Sequence, residues 1–192
     1  MKVAVFLDYA NVNAAANYLN YHVNYGELLN YLAEETEQRI LQVAYAYVPI
    51  DPRQEHAMDA KIEDLWQKGY IVKSKVGGFA GESYKCDFDV EITMDISRVV
   101  YESSPDVVVL VSGDKDFIPV VLEMRGKGVR VEVAAFDSNM ARELALKSSG
   151  YINLEYWLNE AGEIVVDAEE NSDEYDKEFV PNEEEKNGNS NC

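Results

Sequence analysis

Asp106-Val107-Val108-Val109-Leu110-Val111-Ser112-Gly113-Asp114-Lys115-Asp116-Phe117 is the stretch on which the fold is decided. From Val107 to Val111 every residue is aliphatic and most are β-branched, so neither face is polar and the segment reads as a strand buried on both sides, as at the centre of a parallel sheet. It stops at Ser112-Gly113-Asp114. A helix is predicted over residues 116–125, with Gly126 and Gly128 flanking its exit.

The neighbouring segments repeat this alternation. Upstream, Val90, Ile92, Ile96, Val99 and Val100 fit one helix from about Phe88 to Glu102; downstream, Val129–Phe136 is a further strand and Met140–Lys147 a last helix. At the other end of the chain, Lys2–Leu7 is a first strand, halted by Asp8-Tyr9-Ala10-Asn11 before an Ala-rich helix. Leu28, Leu29 and Leu32 form a helical stripe, and Ile40–Val48 is the second strand. Asp51 is a candidate N-cap, with Pro52 at the first helical position and Gln54 three residues after the cap, for a helix running to about Lys68 and ended by Gly69. Tyr70–Val76 is the third strand, and Gly77-Gly78-Phe79-Ala80-Gly81 reads as a mobile loop, too glycine-rich for regular structure. Residues 148–166, with Tyr156 and Trp157, are expected to pack back on the domain by a path the sequence does not reveal.

Five strands separated by helices define an α/β, three-layer sandwich with a mostly parallel five-stranded sheet, because parallel neighbours need crossover connections. Ligands of such sheets bind outside the carboxyl ends of the strands, where the strand order reverses. Asp8 and Asn11 follow the first strand, and Ser112, Gly113, Asp114 and Asp116 follow the central one. The helix that begins near Asp87 and Asp89 must also start at that edge. Asp95 lies six residues on, roughly 9 Å down the helix and turned away, so it is expected to orient the other acids rather than join them.

Carboxylates gathered in one place repel and raise one another's pKa unless a cation neutralises them. A hard divalent ion, Mg²⁺ or Mn²⁺, suits an all-oxygen donor set. The simpler reading makes Asp8, Asp89 and Asp114 turn or helix caps; the meeting of three segments at one edge favours a metal site. Asp87 is expected to be a solvent-facing cap, and Cys86, His22 and His56 to be ordinary packing or surface residues.

Charge narrows the choice of partner. The 192 residues carry a formal net charge of -19; residues 160–192 hold twelve acids and two lysines, which leaves -9 for the rest. That last segment has too little apolar content to fold by burial, and residues 167–192 are expected to form a disordered acidic tail beyond a domain of residues 1–166. A body at -9 is poorly equipped for tight general binding of a polyanion. Lys73, Lys75, Lys85, Arg125, Lys127 and Arg130 are the local cations, read first as solvated surface, and Phe79 or Tyr84 on the glycine loop could stack a base. Two cysteines, Cys86 and Cys192, build no disulfide framework, and no signal peptide or membrane span is apparent, so a cytoplasmic setting is expected.

Val5-Phe6-Leu7-Asp8-Tyr9-Ala10-Asn11-Val12, then Asp89-Val90-Glu91-Ile92-Thr93-Met94-Asp95, then Leu110-Val111-Ser112-Gly113-Asp114-Lys115-Asp116-Phe117 with Pro119 resemble the NYN domain, a family of the PIN-like nuclease superfamily, and within it the bacterial LabA-like branch. The resemblance spans about residues 1–155. It implies a PIN-like sheet ordered 3-2-1-4-5, Asp8, Asp89 and Asp114 as metal-site and catalytic carboxylates, Asp116 as a further acid of the cluster, and Asn11 as a polar partner. Ser112, Asp95 and Lys85 are supporting or substrate-side candidates. The implied activity is that of an endoribonuclease, Mg²⁺- or Mn²⁺-dependent hydrolysis of phosphodiesters in RNA that is single-stranded or in structured loops, leaving a 5′-phosphate. The alternative it allows is a non-catalytic regulatory module that binds RNA or a protein partner; homo-oligomerisation is also open. A haloacid dehalogenase-type phosphohydrolase fits less well, since Ala10 stands where its second Asp belongs, as does a Toprim-like domain, which expects Glu where Asp8 stands.

Overall fold

The computed structural model describes residues 1–33, 38–80 and 83–161. The chain opens with β1 (Lys2–Asp8) and α1 (Tyr9–Tyr18), and α2 (Tyr25–Ala33) follows with Leu28, Leu29 and Leu32 buried. β2 (Ile40–Ile50) leads to α3 (Asp59–Gln67), which starts later than the Asp51 cap predicts. The Asp51 carboxylate turns instead onto the Arg53 N–H (2.9 Å) and guanidinium, closing a tight turn. Residues 52–57 offer no apolar stripe to hold a helix on the sheet. Gly69, at φ +97°, ends α3 as expected and opens the way to β3 (Ile71–Val76).

The glycine stretch is not a structureless loop. β4 (Gly78–Ala80) pairs antiparallel with β5 (Ser83–Lys85), Phe79 opposite Tyr84, because main-chain bonds make a ribbon without needing a buried side-chain face. α4 (Asp89–Ser103) is followed by β6 (Val107–Val111), all five of whose residues are fully buried. A 3₁₀ turn (Lys115–Phe117) runs into α5 (Ile118–Gly126), with Pro119 in its first turn where a missing N–H costs nothing. β7 (Arg130–Ala135), α6 (Arg142–Lys147), β8 (Gly150–Asn153) and α7 (Leu154–Ala161) complete the described chain.

The main sheet is six-stranded and parallel, in the order β3-β2-β1-β6-β7-β8. The expected 3-2-1-4-5 arrangement is present, but five strands is an undercount: β8 adds a sixth at the edge beside β7. Its four half-buried residues, preceded by Ser148-Ser149, give too short an apolar signal to read as a strand.

Alternate residues of each strand serve opposite faces. Val3, Val5, Leu7, Val107, Val109 and Val111 pack under α1, α2 and α7, with Leu65 of α3 in the same cluster. Ala4, Phe6, Val108, Leu110 and Val133 pack under α4, α5 and α6. Each fully buried Val or Leu contributes roughly 1.5–3 kcal/mol, so the β1–β6 pair forms the stiff axis of the sheet. Val90, predicted on the buried stripe of α4, faces solvent, and of the late aromatics Trp157 is buried while Tyr156 is exposed.

The chain leaves β1 over one face and β6 over the other, so their carboxyl ends, last paired at Leu7 and Val111, form the switch point of the sheet. The boundary at residue 166 and the acidic tail of 167–192 lie outside the described residues. Among the described residues no helix is long and apolar enough to cross a membrane.

Candidate metal centre

Asp8, the last residue of β1, ends the strand and caps α1: its Oδ1 accepts the Asn11 N–H at 3.2 Å and its Oδ2 accepts the Ser112 hydroxyl at 3.1 Å. Asp114 does the same after β6, capping the 3₁₀ turn with Oδ1 3.0 Å from the Asp116 nitrogen. The simple capping reading is thus correct for both, and it is what aims them. A cap must sit at the mouth of its turn, and these two turns open side by side.

Asp89 is different. It occupies the first position of α4, where the cap is Phe88 and no side chain caps the helix. Among the described residues its carboxylate accepts no hydrogen bond, and it meets Asp114 and Asp116 instead: one oxygen from each of the three lies within 4.8 Å of the others. Burial, then the charges of Asp114, Asp87 and Asp116, push the Asp89 carboxyl above its ordinary range. Asp8 stands beside this trio. Burial pushes it up to about 6, opposed by the Asn11 and Ser112 hydrogen bonds and reinforced by the charges of Asp89 and Asp114.

Three carboxylates close together, two of them with no hydrogen-bond donor among the described residues, are an unbalanced anionic set, and an all-oxygen set suits a hard cation. Opposite ligands of Mg²⁺ stand about 4 Å apart, a separation comparable to the 4.8 Å spread of these oxygens. The residues present fit such an ion.

The floor of the site is a small polar lattice. Asn11 Oδ1 accepts the Gly113 N–H at 3.0 Å and the Asn139 amide at 2.7 Å; Ser112 Oγ accepts the Asp114 N–H at 3.3 Å while donating to Asp8. Gly113 is fitted so closely that a Cβ there would lie 2.1 Å from the Asn139 carbonyl oxygen. Asn139 carried no signal in the sequence, being a single Asn in a Ser-Asn turn.

Asp95 is placed away from the trio, as its position on α4 predicted. It is 3% exposed and accepts from Tyr47 Oη (2.8 Å), Lys73 Nζ (2.6 Å) and Arg98 (3.0 Å). Asp8, Tyr47 and Lys73 are register partners across β1, β2 and β3, so the Asp95 lattice adjoins the metal-site row on the same face. Lys73 and Lys75, read from sequence as solvated cations, are engaged with Asp95 and Glu91. Lys85 is exposed on β5, and among the described residues no hydrogen bond or ion pair joins it to the acids. Phe79 is exposed; Tyr84's side chain lies outside the described set. His56 is exposed against Asp59, and Asp87 faces solvent.

A six-stranded parallel sheet with acids from three segments at its switch point has the architecture of the PIN-like class. The chain belongs to the NYN domain family, which matches residues 2–155. It is 29% identical over 161 residues to the "Low amplitude and bright protein LabA" of Synechococcus elongatus, covering 80% of this chain and 83% of that one. Among solved structures it resembles a protein of unknown function from Vibrio parahaemolyticus, with a TM-score of 0.66 and 25% identity over 80% of this chain and 92% of the other.

Proposed function

We propose that the protein is a divalent-metal-dependent ribonuclease that hydrolyses RNA phosphodiester bonds in the cytoplasm. The observation that carries this reading is the gathering of the Asp89, Asp114 and Asp116 carboxylates, one oxygen of each within 4.8 Å of the others, at the β1/β6 switch point of an NYN domain. Asp89 and Asp114, together with Asp8, would hold the ion. Bound Mg²⁺ or Mn²⁺ supplies an activated water and charge stabilisation at the attacked phosphate. Asp116, the exposed member, is placed to take up a proton at the solvent side. Asn11 and Ser112 fix the loop that carries Asp114, by the Gly113 N–H and the Asp114 N–H respectively. No side-chain nucleophile is needed. The acidic segment 167–192 is taken as a solubilising extension, so ending the chain near residue 166 leaves cleavage and RNA affinity unchanged.

The test is Asp114→Asn, which keeps the cap geometry and removes the charge. Mn²⁺-stimulated cleavage of labelled RNA is lost while the far-UV spectrum and Tm stay near wild type; cleavage at the wild-type rate removes Asp114 from the mechanism.

One observation favours a second reading. Lys73 and Lys75, the cations of β3, are committed to Asp95 and Glu91, so neither is free to hold a polyanion. A regulatory NYN module that binds the ion and a partner, RNA or protein, without turnover fits that balance. Metal binding by calorimetry with no cleavage across single-stranded and structured RNAs selects it.

A further inference from the structure

Next to the acidic trio is a pocket of about 490 Å³ that contains no charged side chain. One wall is a stripe of α1, Asn11, Ala14, Ala15 and Tyr18, at the i, i+3, i+4, i+7 spacing that puts residues on one helix face; Ser138 and Asn139, in the loop after β7, form the other. The two alanines make the space, and Tyr18 stands at its far end with 80% of its surface exposed. Asn11 belongs to both sites: it lines the pocket and accepts the N–H of Gly113, the residue before Asp114. From Asn11 to Tyr18 the stripe runs about 10 Å at 1.5 Å per residue, the scale of one nucleotide beside the acids.

A second observation concerns Asn139. Its Nδ2 donates to Asn11 Oδ1 (2.7 Å) and to the Asn11 carbonyl (3.1 Å). The amide cannot be turned over, because Asn11 Oδ1 already accepts from Gly113 and needs a donor facing it. The two bonds join the α1 wall of the pocket to the wall after β7 and fix the spacing between them.

We infer that this pocket receives one unpaired base of the RNA strand whose phosphate lies at the acidic trio, with Tyr18 stacking on the base. The assignment rests on the ribonuclease reading and adds to it where the base beside the cut phosphate is held; a stacked base needs a free face, so the strand is unpaired at this position. Neutral walls beside an anionic cluster suit a base rather than a phosphate. They also answer the charge problem, because stacking needs no counterion release and tolerates any base.

The test measures fluorescence anisotropy of a labelled single-stranded RNA octamer of mixed sequence, with Mn²⁺, on Asp114→Asn protein so that the RNA stays intact. Tyr18→Ala weakens binding roughly tenfold, the size of one lost base–aromatic stack. Ala14→Leu, a good helix former on an exposed position, fills the pocket and does the same; Tyr18→Phe binds like the parent. Duplex RNA of the same sequence binds more weakly and does not respond to Tyr18→Ala. If RNA is bound and wild-type protein cuts it, but Tyr18→Ala and Ala14→Leu bind like their parent, the pocket assignment is overturned and the ribonuclease reading stands. If RNA is bound, lost in both variants, yet never cut by wild type, the pocket assignment stands and the nuclease reading falls. No binding of either RNA form overturns both.

Discussion

The Tyr47 hydroxyl donates to Asp95 Oδ2 at 2.8 Å, and with the Lys73 and Lys75 ion pairs this bond ties the sheet to the helix that presents Asp89. Tyr47 is in register with Asp8 on the neighbouring strand, and its ring packs against Phe88, the residue before Asp89, with centroids 5.6 Å apart. Asp95 thereby anchors α4 to the sheet six residues beyond Asp89. Lys73 and Arg98 balance its buried charge from the other sides.

Removing the donor tests that role gently. Tyr47→Phe keeps the packing and deletes one hydrogen bond, and is expected to cost about 1 kcal/mol in urea unfolding. Asp95→Ala leaves Lys73 and Arg98 facing an uncharged gap and is expected to cost about 3 kcal/mol. If Asp95 positions Asp89, both variants weaken Mn²⁺ binding by calorimetry in the same order; unaltered Mn²⁺ affinity in Asp95→Ala reduces it to a structural residue.

Much of this frame was legible because its signals are local. β6 announces itself by five aliphatic residues in a row, and Asp8 and Asp114 by ending strands that lead into helices. Asp89 and Asp116 followed once the direction of α4 and the family pattern were known. The unread parts depend on distant partners. β8 is a strand only because β7 offers an edge, and α3 starts late because Asp51 finds Arg53 before a helix can form. Lys73 looks like a surface cation until β3 is laid beside β2 and α4 covers both. Asn139 becomes part of the site only through contacts more than a hundred residues away in sequence.

Gly113 carries a steric demand independent of charge. Any Cβ there would stand 2.1 Å from the Asn139 carbonyl oxygen, and the Ala141 N–H bond to the Gly113 carbonyl (2.9 Å) keeps the two loops pressed together. Gly113→Ala must separate them, at about 1–3 kcal/mol of overpacking. Because Asp114 is the next residue, cleavage is expected to fall by more than the stability loss explains. Thermal melts and initial rates taken well below Tm separate the two; an unchanged rate shows that the loop moves without carrying Asp114 with it.

Relief of carboxylate repulsion predicts a metal effect on stability as well as on activity. A cation held by the native state alone adds RT ln(1 + [L]/Kd), so Mn²⁺ at about 100 times its Kd raises Tm by roughly 5–10 °C. Asp89→Asn removes one of the three charges. It is expected to raise the metal-free Tm slightly and to abolish most of the Mn²⁺ increment. Scanning calorimetry with Mn²⁺, Mg²⁺ and EDTA reads both; an Asp89→Asn protein that keeps the full increment places the ion elsewhere.

Acid sensitivity is expected from the opposite edge of the molecule. Glu132 of β7 is buried and accepts from Arg39 (2.8 and 3.1 Å) and Arg130 Nε (2.6 Å). Burial alone would push its carboxyl up, but the hydrogen bonds and charges of the two arginines outweigh it and leave the group below its ordinary value. A carboxylate lowered in the folded state contributes stability that is fully present above its unfolded pKa and lost as pH falls through the folded one. Glu132→Gln leaves Arg39 without its buried anion; since Arg130 is half exposed, the cost is discounted to about 2 kcal/mol at pH 7. The gap between wild type and Glu132→Gln should be constant down to about pH 5 and close progressively below about 4.3, where the unfolded chain takes up its proton. Urea titrations of both proteins at pH 7, 5 and 3.5 measure it. A gap that persists undiminished at pH 3.5 means that packing of the longer arginine stems, and not the charge of Glu132, supplies the difference.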